Sequence, residues 1–243
     1  MKSEMVSESP LFWSALHGAQ QGDYSATERL IRDENERIND SDELGNTLLL
    51  AAISGGTSDE ARDAVVLRLL ESGADPNLAN VSGWSPLFAA AFYGRKNIIR
   101  SLVTHGADPN AKQEEGRTPL FHVVRRDDCE TLAWLLDHGA DLHARDAEGD
   151  SLLHAAARAG QTNVLRLLVE RGADLTARDD DGWGVLHEAI LGGGIETVRF
   201  LVEEVGVDKE MQDEEGFTPA QWAERFFEED ADREQLEIFK YLS

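Results

Sequence analysis

The chain is poor in several things, and each shortage narrows its function. A single cysteine, Cys129, in 243 residues rules out a disulfide framework within the chain and any Cys-based zinc motif. No stretch is apolar enough to span a bilayer, and the opening "MKSEMVSESP" lacks the apolar run of a secretory signal, so cytosol or nucleus is the expected compartment. Basic residues are scarce: 23 Lys and Arg stand against 47 Asp and Glu, a formal charge of −24. Phosphates would be repelled, which argues against general affinity for nucleic acid or anionic membrane and favours solubility or a basic partner. There is no phosphate loop and no metal-ligand spacing, so neither cofactor nor metal is expected. The charge is also uneven. Residues 203–237 hold 14 acids and 3 bases, net −11, whereas residues 95–126 hold 7 bases and 3 acids, net +4.

What the chain has in quantity is repetition. Aligned on a glycine, it reads "GNTLLLAA" from Gly45, "GWSPLFAA" from Gly83, "GRTPLFHV" from Gly116, "GDSLLHAA" from Gly149, "GWGVLHEA" from Gly182 and "GFTPAQWA" from Gly216, with steps of 38, 33, 33, 33 and 34 residues. A second string recurs in phase: "LLESGADPN", "LVTHGADPN", "LLDHGADLH", "LVERGADLT" and the worn "LVEEVGVDK". A fixed period of this length predicts a solenoid of stacked units, each contacting mainly its neighbours.

Each recurring letter has a physical task. The glycine permits positive φ in a tight turn before a helix. The Ser or Thr near it caps that helix by accepting a backbone N–H, and Pro86, Pro119 and Pro219 follow the cap, where a missing N–H costs nothing. The Leu and Ala pair makes a narrow buried face. In "GAD", Gly73, Gly106, Gly139 and Gly172 end the second helix in the left-handed conformation.

These strings resemble the ankyrin repeat family, whose consensus is "TPLHxAA…G…LLxxGAD", over about residues 11–242. The resemblance implies an all-α ankyrin repeat solenoid of helix-turn-helix units with β-turn fingers. It implies that His154 and His187 serve hydrogen bonds between neighbouring repeats, and that Asn77 and Asn110 stand where asparagines of the family are hydroxylated.

The letters "GDSL" at Gly149 also spell an esterase signature in which Ser151 would be the nucleophile. A serine nucleophile needs a base and a group that orients it. None of the seven histidines has Asp three residues before it, and no Gly-x-Ser-x-Gly elbow exists. Ser151 is therefore read as a helix cap and the protein as no enzyme.

Along the chain, residues 1–9 read as a disordered tail and 10–243 as a single repeat domain. Within it, a capping helix pair covers 10–40, five full repeats about 41–212 and a C-terminal capping unit 213–243. The first full repeat carries five extra residues, placed by the pattern in "GGTSDEARDAVVLRLL" between its helices. A surface insertion there is read as neutral in preference to a partner contact. Asp127 and Asp128 replace the usual "G-H" of the inter-helix turn, and "GGG" at 192–194 makes a permissive one.

In the family, partners meet the fingers and the exposed side of the first helices. At those positions Trp84, Phe92, Tyr93, Trp183 and Phe217 are apolar although the fold does not require it, and Phe226 lies at another. Large aromatics and arginines dominate interface hot spots. Arg117, Arg125, Arg126 and Arg158 follow in the next repeats and can receive carboxylates of a partner bidentately, or pair within the chain with Glu114, Glu115, Asp127 or Asp128. The expected function is a non-catalytic, monomeric protein-interaction module acting as adaptor, scaffold or regulator. A stoichiometric inhibitor of an enzyme or transcription factor is the alternative, and a small-molecule binder or atypical enzyme using the aromatic and histidine residues is the alternative of another class.

Overall fold

The computed structural model describes residues 9–56, 58–226 and 233–242; the side chain of Phe226 and the tail expected over residues 1–8 lie outside that description. Ser9, counted with the tail from sequence, belongs to the first helix: it is buried, and its hydroxyl accepts the Phe12 N–H at 3.2 Å as the N-cap. The described residues are helical, with two isolated β-bridges (Ser41 with Thr47, Arg145 with Ser151) and no longer strand pairing. They group into two compact units, Met1–Glu114 and Glu115–Ser243.

The first unit holds three helix pairs: α1 (Pro10–Gln21) with α2 (Ser25–Asp33), α3 (Leu48–Ser54) with α4 (Asp59–Glu71), and α5 (Pro86–Tyr93) with α6 (Lys96–Thr104). Helix α3 packs on both α1 and α5. The reason is compositional. Ala51 and Ala52 of α3 and Ala89, Ala90 and Ala91 of α5 are buried, and methyl groups alone between two helices let them approach closely while Leu48, Leu49, Leu87 and Phe88 fill the layer between first and second helices. Each such Leu or Phe contributes about 1.5–3 kcal/mol by leaving water. Thr47 and Ser85 cap α3 and α5 through the N–H groups of Leu50 and Phe88.

Most of the five extra residues of the first full repeat lie in α4, which has thirteen residues where α6 has nine. They are tied into the unit. Arg62 is 1% exposed, donates to the Gly55 carbonyl at 2.8 and 3.2 Å and meets Asp59, which also receives Arg95 at 2.9 Å. Asn97 of α6 donates to Asp63 at 2.8 Å.

The second unit repeats the plan with α7 (Pro119–Val124) and α8 (Cys129–Asp137), α9 (Leu152–Arg158) and α10 (Thr162–Glu170), α11 (Val185–Glu188) and α12 (Gly194–Arg199), and the closing α13 (Pro219–Phe226) and α14 (Arg233–Leu242). Thr118 sits at the cap of α7, yet its buried hydroxyl makes no capping bond. Asp127 takes the place of the inter-helix glycine and its backbone: φ is 53°, the one left-handed non-glycine among the described residues. Asp128 follows as the cap of α8, accepting the Thr131 N–H at 3.2 Å. In the next repeat but one, a π-turn over Ala189–Gly193 follows α11, and a second, Phe200–Val205, follows α12. From finger glycine to left-handed turn glycine the preceding repeat counts eleven residues (Gly149 to Gly160) and this one twelve (Gly182 to Gly194). The wider i→i+5 turn takes up the added residue.

Candidate protein-interaction face

Fingers come first, because they set the register of everything on the face. In the finger before Gly83, the Asn80 side-chain oxygen accepts the amides of Ser82 and Trp84 at 3.1 and 3.0 Å. Asp146 and Asp179 do the same in theirs, so a short polar residue three before the glycine builds these three turns. Gly83 has φ 76°, and a Cβ on it would stand 2.9 Å from the backbone of Gln113 in the next finger. Neighbouring fingers are joined backbone to backbone: Val81 donates to Leu44, Ala147 to Glu115, Asp180 to Glu148 and Glu214 to Asp181, at 2.8–3.2 Å. Within each unit, residues one, six and nine places after a finger glycine then line one side of the first helices.

In the repeat from Gly83 this face is apolar. The Trp84 ring packs on Phe88 and Phe92 at centroid distances of 5.1 and 4.9 Å, and Phe92 meets Tyr93 edge-on at 5.1 Å. Trp84 is half-buried by these contacts, whereas Phe92 is 39% and Tyr93 36% exposed. The finger tips continue the surface with Leu44 at 59% and Val81 at 63%. The Arg95 guanidinium lies 5.9 Å from the Tyr93 ring centre.

In the first two repeats of the second unit, from Gly116 and Gly149, the same positions are mostly charged. Arg117 is held by Asp146 at 3.0 Å and Glu115 at 2.8 Å, with Glu148 at 3.7 Å. Arg158 makes a two-pronged pair with Glu188, both contacts at 2.5 Å, and reaches Asp150 at 3.0 Å. Glu188 is 0% and Asp150 2% exposed. Of the four arginines expected to meet a partner, Arg117 and Arg158 are thus engaged within the chain, Arg117 with the expected Glu115 and both with acids the sequence pattern did not suggest. Arg125 and Arg126 are exposed at the end of α7. Further along, Trp183 stacks on His187 and meets Trp222 edge-on at 5.0 Å; Phe217 packs on Trp222, and the Arg225 guanidinium lies 5.1 Å from the Phe217 ring centre. The Trp222 indole N–H donates to Asp213.

Burial shapes the ionisation here. It pushes Asp150 up to about 7, against the pull of Arg158 and with the push of Glu188, Asp146 and Asp179. His122 is lowered to about 4 by burial and by Arg125, Arg117 and Arg126. His154, 1% exposed, is also lowered to about 4, by burial first and then by Arg145 and Arg158. Asp150, Asp179 and Glu188 each offer a carboxylate oxygen within 4.8 Å of the others, as do Asp146, Glu148 and Asp150; in the first group Arg158 already sits as the positive charge.

Ser151 and His154 do stand together. Their Oγ and Nδ1 are 3.0 Å apart, but Nδ1 also accepts the Ser151 amide at 3.0 Å while the hydroxyl caps α9 through the His154 N–H. This is a capping box on one helical turn. His187 repeats only the ring's half of it, with Nδ1 accepting the Gly184 amide and Nε2 3.4 Å from the Phe217 carbonyl of the next repeat, the inter-repeat contact expected of it.

Sequence reasoning missed Glu188, Trp222 and His122 as members of the face. The signal was present: six places after the finger glycine, where Ala89 and Ala155 stand in other repeats, a large or charged residue has no room in the helix layer and must turn to the face.

The family described as "Ankyrin repeats (3 copies)" matches residues 11–113 and 105–179. The chain belongs to the ankyrin repeat family. Ankyrin repeats are generally protein–protein interaction modules, and the family is typically non-catalytic. No curated protein sequence matches the chain. No helix among the described residues is long and apolar enough to cross a membrane.

Proposed function

We propose that this ankyrin repeat protein is a non-catalytic, monomeric adaptor, scaffold or regulator whose first-unit face receives apolar side chains of a protein partner. One observation carries the reading. Leu44, Val81, Phe92 and Tyr93 are all more than a third exposed and lie at finger tips and on the adjoining helix face. Large apolar patches of this kind on water-soluble proteins are costly to keep and mark interaction sites. Trp84 supports that patch from beneath. The rings of Phe88 and Phe92 fill the space around Trp84, and those of His187 and Trp222 the space around Trp183. That filling favours a surface contact over a small-molecule pocket.

A second reading, a stoichiometric inhibitor that covers a basic surface, is favoured by the finger tips of the second unit. There Glu115, Glu148, Asp180, Asp181, Glu214 and Glu215 are all exposed.

The test is a crosslinking pull-down from the native cell, comparing the wild type with Phe92→Ala/Tyr93→Ala after circular dichroism has shown both folded. Loss of one specific protein is expected. Recovery of the same proteins by both would sink the apolar-face reading and move attention to the acidic finger tips.

A further inference from the structure

On the second unit, a small cleft lies between the first helices of two adjacent repeats, α7 and α9. Arg117, Arg125 and Arg158 line it, Phe121 and Ala155 form apolar wall, and His122 faces it. In a chain with 47 acids to 23 bases, every arginine has acids to choose from, so an unpaired one stands out. Arg125 is such a residue. It is exposed, its carbonyl accepts Gln161 Nε2 at 3.2 Å, and its guanidinium takes no acid or acceptor among the described residues. Arg158 commits Nε and Nη2 to Glu188 and Asp150 and leaves Nη1 without a protein partner among the described residues. Arg117 and Arg158 are oriented by carboxylates whose own side chains are 0–3% exposed, so neither must be ordered on binding.

We infer that this cleft is a receptor for a single carboxylate side chain of a protein partner, with Arg125 as the principal donor and the free edge of Arg158 as the second. The inference rests on the reading that this chain meets a protein partner, and it names the chemistry of one contact. A guanidinium fork matches a carboxylate in plane and in spacing, and such pairs are the strong charge-assisted hydrogen bonds. Phosphate would fit the fork as well, but Asp146 and Asp150 also line the cleft. Their proximity penalises a dianion more than a monoanion. Asp146 is occupied by Arg117 and by the finger amides of Glu148 and Asp150.

Random twelve-residue peptides displayed on phage and selected against the full chain test this without knowledge of the partner. Peptides selected by the wild type should share one Asp or Glu at a fixed position. Arg125→Glu should weaken them about tenfold or more, the scale of a lost charge-assisted pair, and Arg125→Lys, which keeps the charge but loses the fork, should weaken them less than Arg125→Glu. Replacing the shared acid by its amide should reproduce the loss in wild type and add nothing in Arg125→Glu. A selected set without a shared acid, or one indifferent to Arg125→Glu, overturns the cleft and leaves the interaction reading standing. Tighter binding when the acid is replaced by phosphoserine overturns the commitment to carboxylate. No selected peptide at all overturns the cleft as a receptor, while the Phe92/Tyr93 pull-down still decides the wider reading on its own.

Discussion

Asp127 shows how a single position can break a repeat's rule and still obey its geometry. The turn between α7 and α8 needs a left-handed residue, and an aspartate supplies it at φ 53°. Among non-glycines, Asn and Asp tolerate this region best, at a cost of about 1–2 kcal/mol. Its carboxylate recovers part of that through Asn163, whose Nδ2 donates at 3.1 Å. Asp127→Gly is therefore expected to stabilise the protein by about 1 kcal/mol in urea denaturation, the lower end because the Asn163 contact is lost. A destabilised variant would mean that the exposed hydrogen bond outweighs the backbone term.

At the scale of elements, the added residue between Gly182 and Gly194 is the informative case. Its existence was readable from the 34-residue step, and so was the permissive "GGG". Its resolution as a π-turn was not, because spacing alone does not say whether an extra residue loops out or widens a helix. The neighbouring repeat decides: a Cβ on Gly192 would stand 2.3 Å from the Arg158 carbonyl oxygen, so the backbone there is pressed against α9 and has no room to loop. Deleting Gly193 restores the eleven-residue spacing of the preceding repeat. The deletion should leave the melting temperature unchanged or raised and the far-ultraviolet helix signal intact. A fall of more than several degrees would show that the π-turn is required by what α11 carries, Glu188 in particular. The same counting put the five-residue insertion between the two helices, whereas most of it lengthens α4, which carries Arg62, a long charged side chain that gives no periodic signal and yet is buried by bonding the Gly55 carbonyl.

For the molecule as a whole, periodicity was enough to recognise the family, the helix pairs and the caps, since those follow from which residues are apolar, small or turn-forming. The charged positions of the second unit were legible only in part. Arg158 finds Glu188 thirty residues away, and which of 47 acids an arginine meets depends on side-chain geometry that no spacing encodes. That network leaves opposed marks on the pH profile. His122 and His154, held near 4 against an unfolded value of about 6.5, make stability fall as pH drops from 6.5 towards 4, since the unfolded chain takes up protons first. Asp150, raised to about 7 from 3.8, acts the other way: the folded state takes up the proton first, so stability rises as pH falls through 7. The stability of wild type relative to Asp150→Asn should accordingly increase from pH 8 to pH 5 in urea melts at fixed salt. A difference that does not vary with pH would contradict a raised Asp150. The finger ladder has a consequence of another kind. Because Val81, Ala147, Asp180 and Glu214 reach the preceding finger through main-chain amides, that ladder does not depend on which side chains stand at those four positions. Those four tip side chains can be rewritten, apolar for acidic or acidic for basic, with the main-chain ladder intact, so natural selection or an engineer can change what this protein recognises there without renegotiating how it folds.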